Sequence, residues 1–487
     1  MSIPEQVAKL IRHQAYVNGQ WVDAESGKTF SVVNPATNER ITQVPDQGQK
    51  DTREAINAAH IALAGWKSLT PKERSTILKR WAELVSDNLE SLATILTMEQ
   101  GKALAEARGE VASSVAYIEW FASEAMRVTG ETLPRSANGN FEYMQKLPIG
   151  VVAAITPWNF PNSMIARKVA PALAAGCTVV VKPAEDTPLS ALALTKLAVE
   201  AGIPAGVINV ITASSGAEVG LELSKNPTVK KLSFTGSTAV GKILLEQCAS
   251  TVKKLSLELG GNAPFIVFED ADLDAAVNGA ISIKFYNSGQ TCVCANRLLV
   301  QESIHDEFLK KYNEAIDKLV QGYGLDDNVS HGPLINEKAI TKIKDLVDLT
   351  VREGAKVYRG GDTLPHLGAN FFEFTVLTDV ERDMEIFRSE IFGPIAAVYK
   401  FSTEEDAVAL ANDTPYGLAS YLYTKDAGRI FRVSEALEYG MVGVNTPRFV
   451  SETVPFGGVK ESGIGREGSS HGIDEFLEMH YVCIKAE

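Results

Sequence analysis

"GVVAAITPWNFPNSMIARKVAPALAAGCTVVVKPAED" (150–186) is the stretch that decides the fold. Two short apolar runs, "GVVAAIT" (150–156) and "CTVVVK" (177–182), flank a segment of helical character. Short, continuously apolar strands joined through a helix form a crossover unit, and such strands are buried on both faces of a parallel sheet. Runs of the same texture follow, "VINVIT" (207–212) and "KLSFTG" (231–236), each leading into a helix-like segment. The pattern predicts an α/β domain that binds ligands beyond the carboxyl ends of its strands.

Upstream, "YVNGQWVD" (16–23) sets Asn-Gly between alternating apolar residues and predicts a hairpin. From Asp51 to about Val128 the pattern is helical, as in "ERSTILKRWAELVSDNLESLATILTMEQ" (73–100). Downstream, a second series begins at "LSLELGGNAPFIVF" (255–268) and runs through "RLLVQESIHDEFLKKYNEAIDKL" (297–319) to "GLASYLYT" (417–424) and "MVGVN" (441–445). It predicts a second α/β domain, entered near Leu255. The segments "GETLPRSANGNFEYMQKLP" (130–148) and "DEFLEMHYVCIKAE" (474–487) fit neither core. Both read as strand-forming arms that pack outside the domains, on another subunit.

The bulk numbers agree with this division. A chain of 487 residues exceeds one ordinary core, so two large domains and a smaller element are expected. Its 45% hydrophobic and 22% charged residues are those of a soluble globular protein. A formal charge of −14 argues against nucleic-acid and anionic-membrane partners, which need a basic footprint. A small anionic substrate fits only where basic residues gather locally. "MSIPEQVAKLIRHQ" (1–14) is amphipathic without the apolar centre of a signal peptide, and no apolar run is long enough for a membrane span. Cys177, Cys248, Cys292, Cys294 and Cys483 are odd in number and scattered, which speaks for a reducing, cytoplasmic setting rather than a disulfide framework.

Several short motifs carry candidate chemistry. "FTGSTAVG" (234–241) follows a strand run and opens a helix, where backbone N–H groups can hold a phosphate; a plain β-to-α turn reads the same way. In "VVVKPAEDTP" (179–188), Lys182 and Glu185 stand at a strand's carboxyl end, suited either to ribose and phosphate or to a solvated ion pair. Asn159 in "TPWNFPN" (156–162) is an oxyanion donor or a turn former. Glu258 in "LELGGN" (257–262) is a general base or a structural carboxylate. "GQTCVCANR" (289–297) sets two cysteines two residues apart where a helix gives way to a strand. If both are extended they face the same side. With no histidine in the segment and the other cysteines remote, a metal site is disfavoured. A small buried core residue and a nucleophile served by Glu258 and Asn159 both remain open.

Taken together and in order, "PWNFP", "KPAE", "FTGST", "LELGGN", "GQTC", "EIFGP" and "PFGGVKESGIGREG" resemble the motifs of the aldehyde dehydrogenase superfamily over essentially the whole chain. "GQTCVCANR" and "GREGSSHGIDEFLEMHYVC" look most like its succinate-semialdehyde dehydrogenase branch. The resemblance implies an α/β, aldehyde dehydrogenase-like fold. Its parts are a dinucleotide-binding domain (1–127 and 147–254), a catalytic domain (255–470) and a bridging β-arm (128–146 and 471–487) that assembles a dimer or tetramer. It makes Cys292 the nucleophile, Glu258 the base and Asn159 an oxyanion donor. Thr156, Trp158, Lys182, Glu185, Gly236, Ser237, Glu390 and Phe392 would hold the cofactor, and no metal is implied. NAD is expected over NADP because Glu185 accepts from both ribose hydroxyls and repels a 2′-phosphate; relatives with a small residue there use NADP.

The substrate implied is an anionic aldehyde: succinate semialdehyde first, then glutarate semialdehyde or a sulfo-aldehyde. Arg167 matches an arginine that the branch uses for the far carboxylate, although without the resemblance it reads as a surface ion-pair partner. The sequence departs from the branch at Tyr286, where a second arginine is typical. It departs again at "NTPRFVSETV" (445–454), where Arg448 and Ser451 offer a charge and a hydroxyl. Cys294 is a candidate redox partner of Cys292, or a plain core residue. A non-redox thiol esterase and a non-catalytic protein on the same fold are the readings of other classes; the cofactor motifs count against the first and intact Cys292, Glu258 and Asn159 against the second.

Overall fold

The structure is a computed structural model that describes residues 4–485. The first three residues of the N-terminal stretch 1–14, and the last two of the arm expected to end at 487, lie outside the described residues.

The run 150–186 folds as its pattern requires. Strands Val151–Ile155 and Thr178–Lys182 pair in parallel through the crossover helix Ser163–Ala175, which ends on Gly176 with φ 98°, a left-handed turn that suits glycine. Around them grows an eight-stranded sheet. Its order is Gly463–Ile464, Lys254–Glu258, Val229–Thr235, Val151–Ile155, Thr178–Lys182, Ile208–Val210, Ala15–Val17 and Gln20–Val22. The five inner strands are parallel and both margins antiparallel. The last two strands are the expected hairpin, turning at Asn18 and Gly19, both with positive φ. Chain order reverses between Val151–Ile155 and Val229–Thr235, so a topological switch point lies at their carboxyl ends.

Helices fill residues 49–124 as expected. The helix Pro71–Asp87 starts on a Thr70–Glu73 capping box, and its Trp81 indole donates to the Leu194 carbonyl at 3.1 Å. With the helices Leu104–Glu124 and Ser163–Ala175 it covers the sheet in the largest apolar cluster of the molecule.

A seven-stranded sheet forms the second layer system. Its order is Lys356–Arg359, Thr375–Thr378, Ile395–Phe401, Ala295–Gln301, Ala263–Val267, Ala419–Tyr423 and Met441–Val444, all parallel except the first pair. One expectation is corrected here. The strand Lys254–Glu258, expected to open the second unit, pairs with Val229–Thr235 in the first sheet, and Gly463–Ile464 joins it from within 255–470. The second sheet begins at Ala263. An apolar run alone does not reveal which sheet it enters; the Gly260-Gly261 break after it marks the true passage.

The two arm segments pair with each other. Leu477–Lys485 lies antiparallel to Asn140–Pro148 along nine residues, with Glu131–Thr132 on the other side.

Candidate active site

The carboxyl edge of the first sheet faces the amino edge of the second. Thr156 to Asn159, Thr235 to Ser237 and Glu258 leave or end first-sheet strands, while Cys292, Glu390 and Phe392 precede second-sheet strands. Between the edges opens a cleft of about 340 Å³. Trp158, Asn159, Gly236 and Ser237 line one wall, and Cys292, Glu390 and Phe392 the other. Segments well separated in the sequence, from Trp158 to Phe392, thus meet at one place.

Cys292 occupies a turn. The Cys294 N–H donates to the Thr291 carbonyl at 3.0 Å, so 292–294 is not extended and the condition for two cysteines on one side is not met. The preceding residues explain the bend: Asn287 and Ser288 both have φ near +50° (51° and 55°), and the Ser288 hydroxyl and Gln290 amide fasten the loop to the carbonyls of Gly332 and Pro333 at 2.7 and 3.3 Å. The Cys292 thiol is pushed up to about 12 by burial, with Glu390 and Glu258 adding to the rise and Arg167 and the cysteine's own N–H opposing it. Gly261 lets the passage between sheets run close by: a Cβ there would lie 2.4 Å from the Cys292 carbonyl oxygen.

Glu258 is buried, and burial followed by the charge of Glu467 raises its carboxyl well above the ordinary range against the pull of Lys168, Arg466 and Arg167. Its Oε2 has no partner. Lys168 forms a buried ion pair with Glu467. Asn159 donates from Nδ2 to the Gln290 carbonyl at 2.9 Å. Its own carbonyl accepts from Lys102 Nζ at 2.8 Å and Asn287 Nδ2 at 3.0 Å, while Lys102 also donates to Glu110 at 2.6 Å. Lys102 and Glu110 were not foreseen, because what ties them to the site is the Asn159 carbonyl, distant in the chain.

The remaining expected cofactor residues are divided between the two edges. Lys182 is buried with Nζ 3.2 Å from Glu185, whose side chain is half exposed. Ser237 caps the helix Thr238–Ala249. The hydroxyls of Thr156 and Thr235, one residue past the Ile155–Phe234 pair, are buried without partners at the switch point. Glu390 accepts from the Gly261 N–H at 2.9 Å, and burial lifts it to about 6. Phe392, with φ 58°, meets Trp158 edge-on at 5.5 Å. Orphan hydroxyls, a helix N-terminus and a carboxylate along a switch-point crevice fit a dinucleotide. Asn336, Lys338 and Lys342 also line the cleft and were not foreseen. Among the described residues no cluster fit to hold a metal ion occurs, and no helix is long and apolar enough to cross a membrane.

Of the expected substrate residues, Arg167 is buried between the rings of Tyr117 and Phe456, 4.6 and 4.8 Å from their centres. Its Nε and Nη1 have no partners. Burial works against its charge, but Tyr117, Glu467, Cys292 and Glu258 more than offset this and leave its pKa raised. Tyr286 stacks on Phe160 at 5.7 Å. Arg448 is exposed, within electrostatic reach of Glu106 and Tyr286. Ser451 is less free than expected, since its hydroxyl pairs with that of Thr453 at 2.9 Å and its carbonyl accepts from Tyr117.

Residues 21–482 match the model of the aldehyde dehydrogenase family. The chain belongs to that family. It is 54% identical to the succinate-semialdehyde dehydrogenase [NADP(+)] of Escherichia coli K12 and 55% identical to a glutarate-semialdehyde dehydrogenase of Pseudomonas putida, covering 98% of both chains in each case. The crystal structure of a succinate-semialdehyde dehydrogenase from Burkholderia pseudomallei superposes with a TM-score of 0.97 at 54% identity over the full length of both chains. The aldehyde dehydrogenase-like α/β fold expected from the sequence is therefore the fold of the chain.

Proposed function

We propose that this aldehyde dehydrogenase oxidises a small aldehyde with a distal anion to the corresponding acid. Succinate semialdehyde is the first candidate, with glutarate semialdehyde and a sulfo-aldehyde behind it. The observation that carries the reading is Arg167: a buried guanidinium, held between two rings, with two nitrogens unpartnered and within electrostatic reach of Cys292. Buried donors without partners are costly, and a substrate carboxylate relieves them through paired, charge-assisted hydrogen bonds. The names of the relatives from E. coli and P. putida point to the same substrate class.

The chemistry follows from what an aldehyde lacks, a leaving group other than hydride. Cys292 supplies the thiolate that makes the carbonyl carbon tetrahedral. The Asn159 amide and the Cys292 N–H hold the resulting oxyanion. A nicotinamide dinucleotide, when bound, accepts the hydride whose loss turns this adduct into a thioester. Glu258 then takes a proton from water, which attacks the thioester and frees the acid. Thr156, Lys182, Glu185 and Ser237 hold and orient the dinucleotide along the first-sheet edge, with Glu390 facing them from the second. Dinucleotide binding thus falls mainly to the first sheet, whose last inner strand is Lys254–Glu258, and the nucleophile comes from the second, which begins at Ala263. The enzyme works in the cytoplasm as a homo-oligomer.

Arg167→Met tests the substrate. Losing a hydrogen-bonded charge contact worth about 1.5–3 kcal/mol raises KM for succinate semialdehyde roughly ten- to a hundredfold, while butanal is little changed. Higher kcat/KM for neutral aldehydes than for every anionic one in the unmodified enzyme overturns the reading. For the cofactor, Glu185 favours NAD over NADP, and Glu185→Ser narrows the ratio of kcat/KM values. Equal or better turnover with NADP rejects this preference, a real contest given the NADP(+) in the name of the E. coli relative.

A further inference from the structure

Cys294 does not line the cleft. Its sulfur lies 3.3 Å from Nζ of Lys284 and donates to the carbonyl of the same lysine at 3.3 Å. Lys284 is fully buried at the end of the helix Leu273–Lys284. Among the described residues its amino group has no carboxylate and no hydrogen-bond partner except that sulfur. The other buried lysines among the described residues all have oxygen partners: Glu110 and a carbonyl for Lys102, Glu467 for Lys168, Glu185 for Lys182, Ser256 and Glu475 for Lys231, two carbonyls for Lys253. The nearby polar groups do not compensate. Tyr312, within electrostatic reach of Cys294, has a buried hydroxyl without a partner, and the Tyr421 hydroxyl is given to the Val293 carbonyl. A buried amine matched only to a thiol is poor as a stabilising contact, since sulfur is a weak acceptor. It is well arranged as a reacting pair, because about 3–3.5 Å is the separation of a near-attack geometry.

We propose that Lys284 and Cys294 form a covalent modification site, in which a peroxide joins Nζ to Sγ as a sulfenamide. The thiol is oxidised by two electrons to a sulfenic acid while the peroxide is reduced, hydrogen peroxide giving water. The Nζ lone pair then attacks Sγ, the S–O bond breaks, and hydroxide leaves as water with a proton from the amine. The pair loses two hydrogens, and one hydrogen peroxide becomes two waters. Hydrogen peroxide is close to water in size, and the cleft brings it to Cys292, two residues away and partly exposed. The amine, already 3.3 Å away, captures the sulfenic acid faster than a second oxidant molecule can arrive. A thiol reductant cleaves the bond by attacking Sγ and restores both groups. The linkage ties the turn that carries Cys292 to the end of the helix behind it. It also differs from a disulfide to Cys292, whose sulfur belongs to the cleft.

The test is peptide mass spectrometry on full-length Cys292→Ser protein, which removes the competing thiol, before and after hydrogen peroxide. Trypsin cuts after Lys254, Lys284 and Arg297 in this region. Linkage predicts that cleavage at Lys284 is lost and that peptide 255–297 appears intact, lighter by two hydrogens. Dithiothreitol restores the cleavage. Lys284→Arg in the same background, which keeps an N–H donor but not a nucleophilic amine, gives no loop-linked peptide and accumulates added oxygen on Cys294. Oxygen on Cys294 with Lys284 still cleaved overturns the proposal, as does an unreacted Cys294. In the unmodified chain, a Cys292–Cys294 disulfide with Lys284 free overturns it equally.

Discussion

Glu258 shows what burial does to a single base. Its carboxyl is raised well above the ordinary range, so near the ordinary carboxylate pKa it still holds a proton and cannot accept another. The sign follows directly: thioester hydrolysis is slow at low pH and rises as the pH passes through the raised value. Acylating Cys292 with an activated ester and following release of the acid isolates this step from hydride transfer. The expected release rate climbs about tenfold per pH unit below a midpoint well above that of a free glutamate, in keeping with a single ionisation. Glu258→Gln removes the climb and slows release by about 10²–10⁴-fold. A climb that survives in Glu258→Gln assigns the ionisation to another group, Glu467 being the nearest in influence.

At the scale of elements, the helix Leu104–Glu124 supports the loop after the first strand of the crossover. Glu110 accepts from the N–H groups of Asn162 and Ser163 at 2.8 and 3.1 Å and from Lys102, whose other bond holds the Asn159 carbonyl. Lys102→Met leaves a buried carboxylate without its cation and costs about 3–5 kcal/mol of stability. Adding Glu110→Gln recovers much of that loss by removing the stranded charge. It does not restore kcat, because the Asn159 carbonyl still lacks its donor. Melting temperatures and kcat for the two single and one double variant check this; kcat recovering in step with stability defeats it. This support also marks how far the sequence could be read. The strands at 151–155 and 178–182 were legible because continuous burial leaves continuous apolar runs. Cys292, Glu258 and Asn159 were visible through motifs whose order is specific. The Lys102–Glu110 pair and the bend at Asn287 were not, because both depend on partners distant in the chain: Asn159 for one, and Gly332 with Pro333 for the other. The turn from Thr291 to Cys294 was not legible for the same reason, since the loop's remote fastenings impose it.

For the whole molecule, the decisive feature is the sheet outside both cores. Leu477–Lys485 is a nine-residue strand paired on one side only, and such an edge invites another chain unless a partner covers it. Phe141 and Ile484 are directly opposite and 52% and 49% exposed; Tyr143 and Val482 continue the same face, which gives it a contiguous apolar surface. Monomers seldom leave such a face bare, and homo-oligomers with closed symmetry bury it. Phe141→Lys with Ile484→Asp replaces the apolar pair by opposite charges across the strands, which supports the local pairing while making the face polar. The unmodified chain is expected to scatter light as a multiple of 52.6 kDa, and the double variant to fall toward that single-chain mass with its melting transition retained. A double variant of unchanged mass would place the subunit contact elsewhere, and a lost transition would show that the arm holds its own chain together. Because the arm strand Asn140–Pro148 runs directly into Val151–Ile155, whose far end carries Asn159 into the cleft, the monomeric variant also reports on the site. A lower kcat with KM for the aldehyde unchanged is the expected mark of an Asn159 loop that the assembly helps to hold.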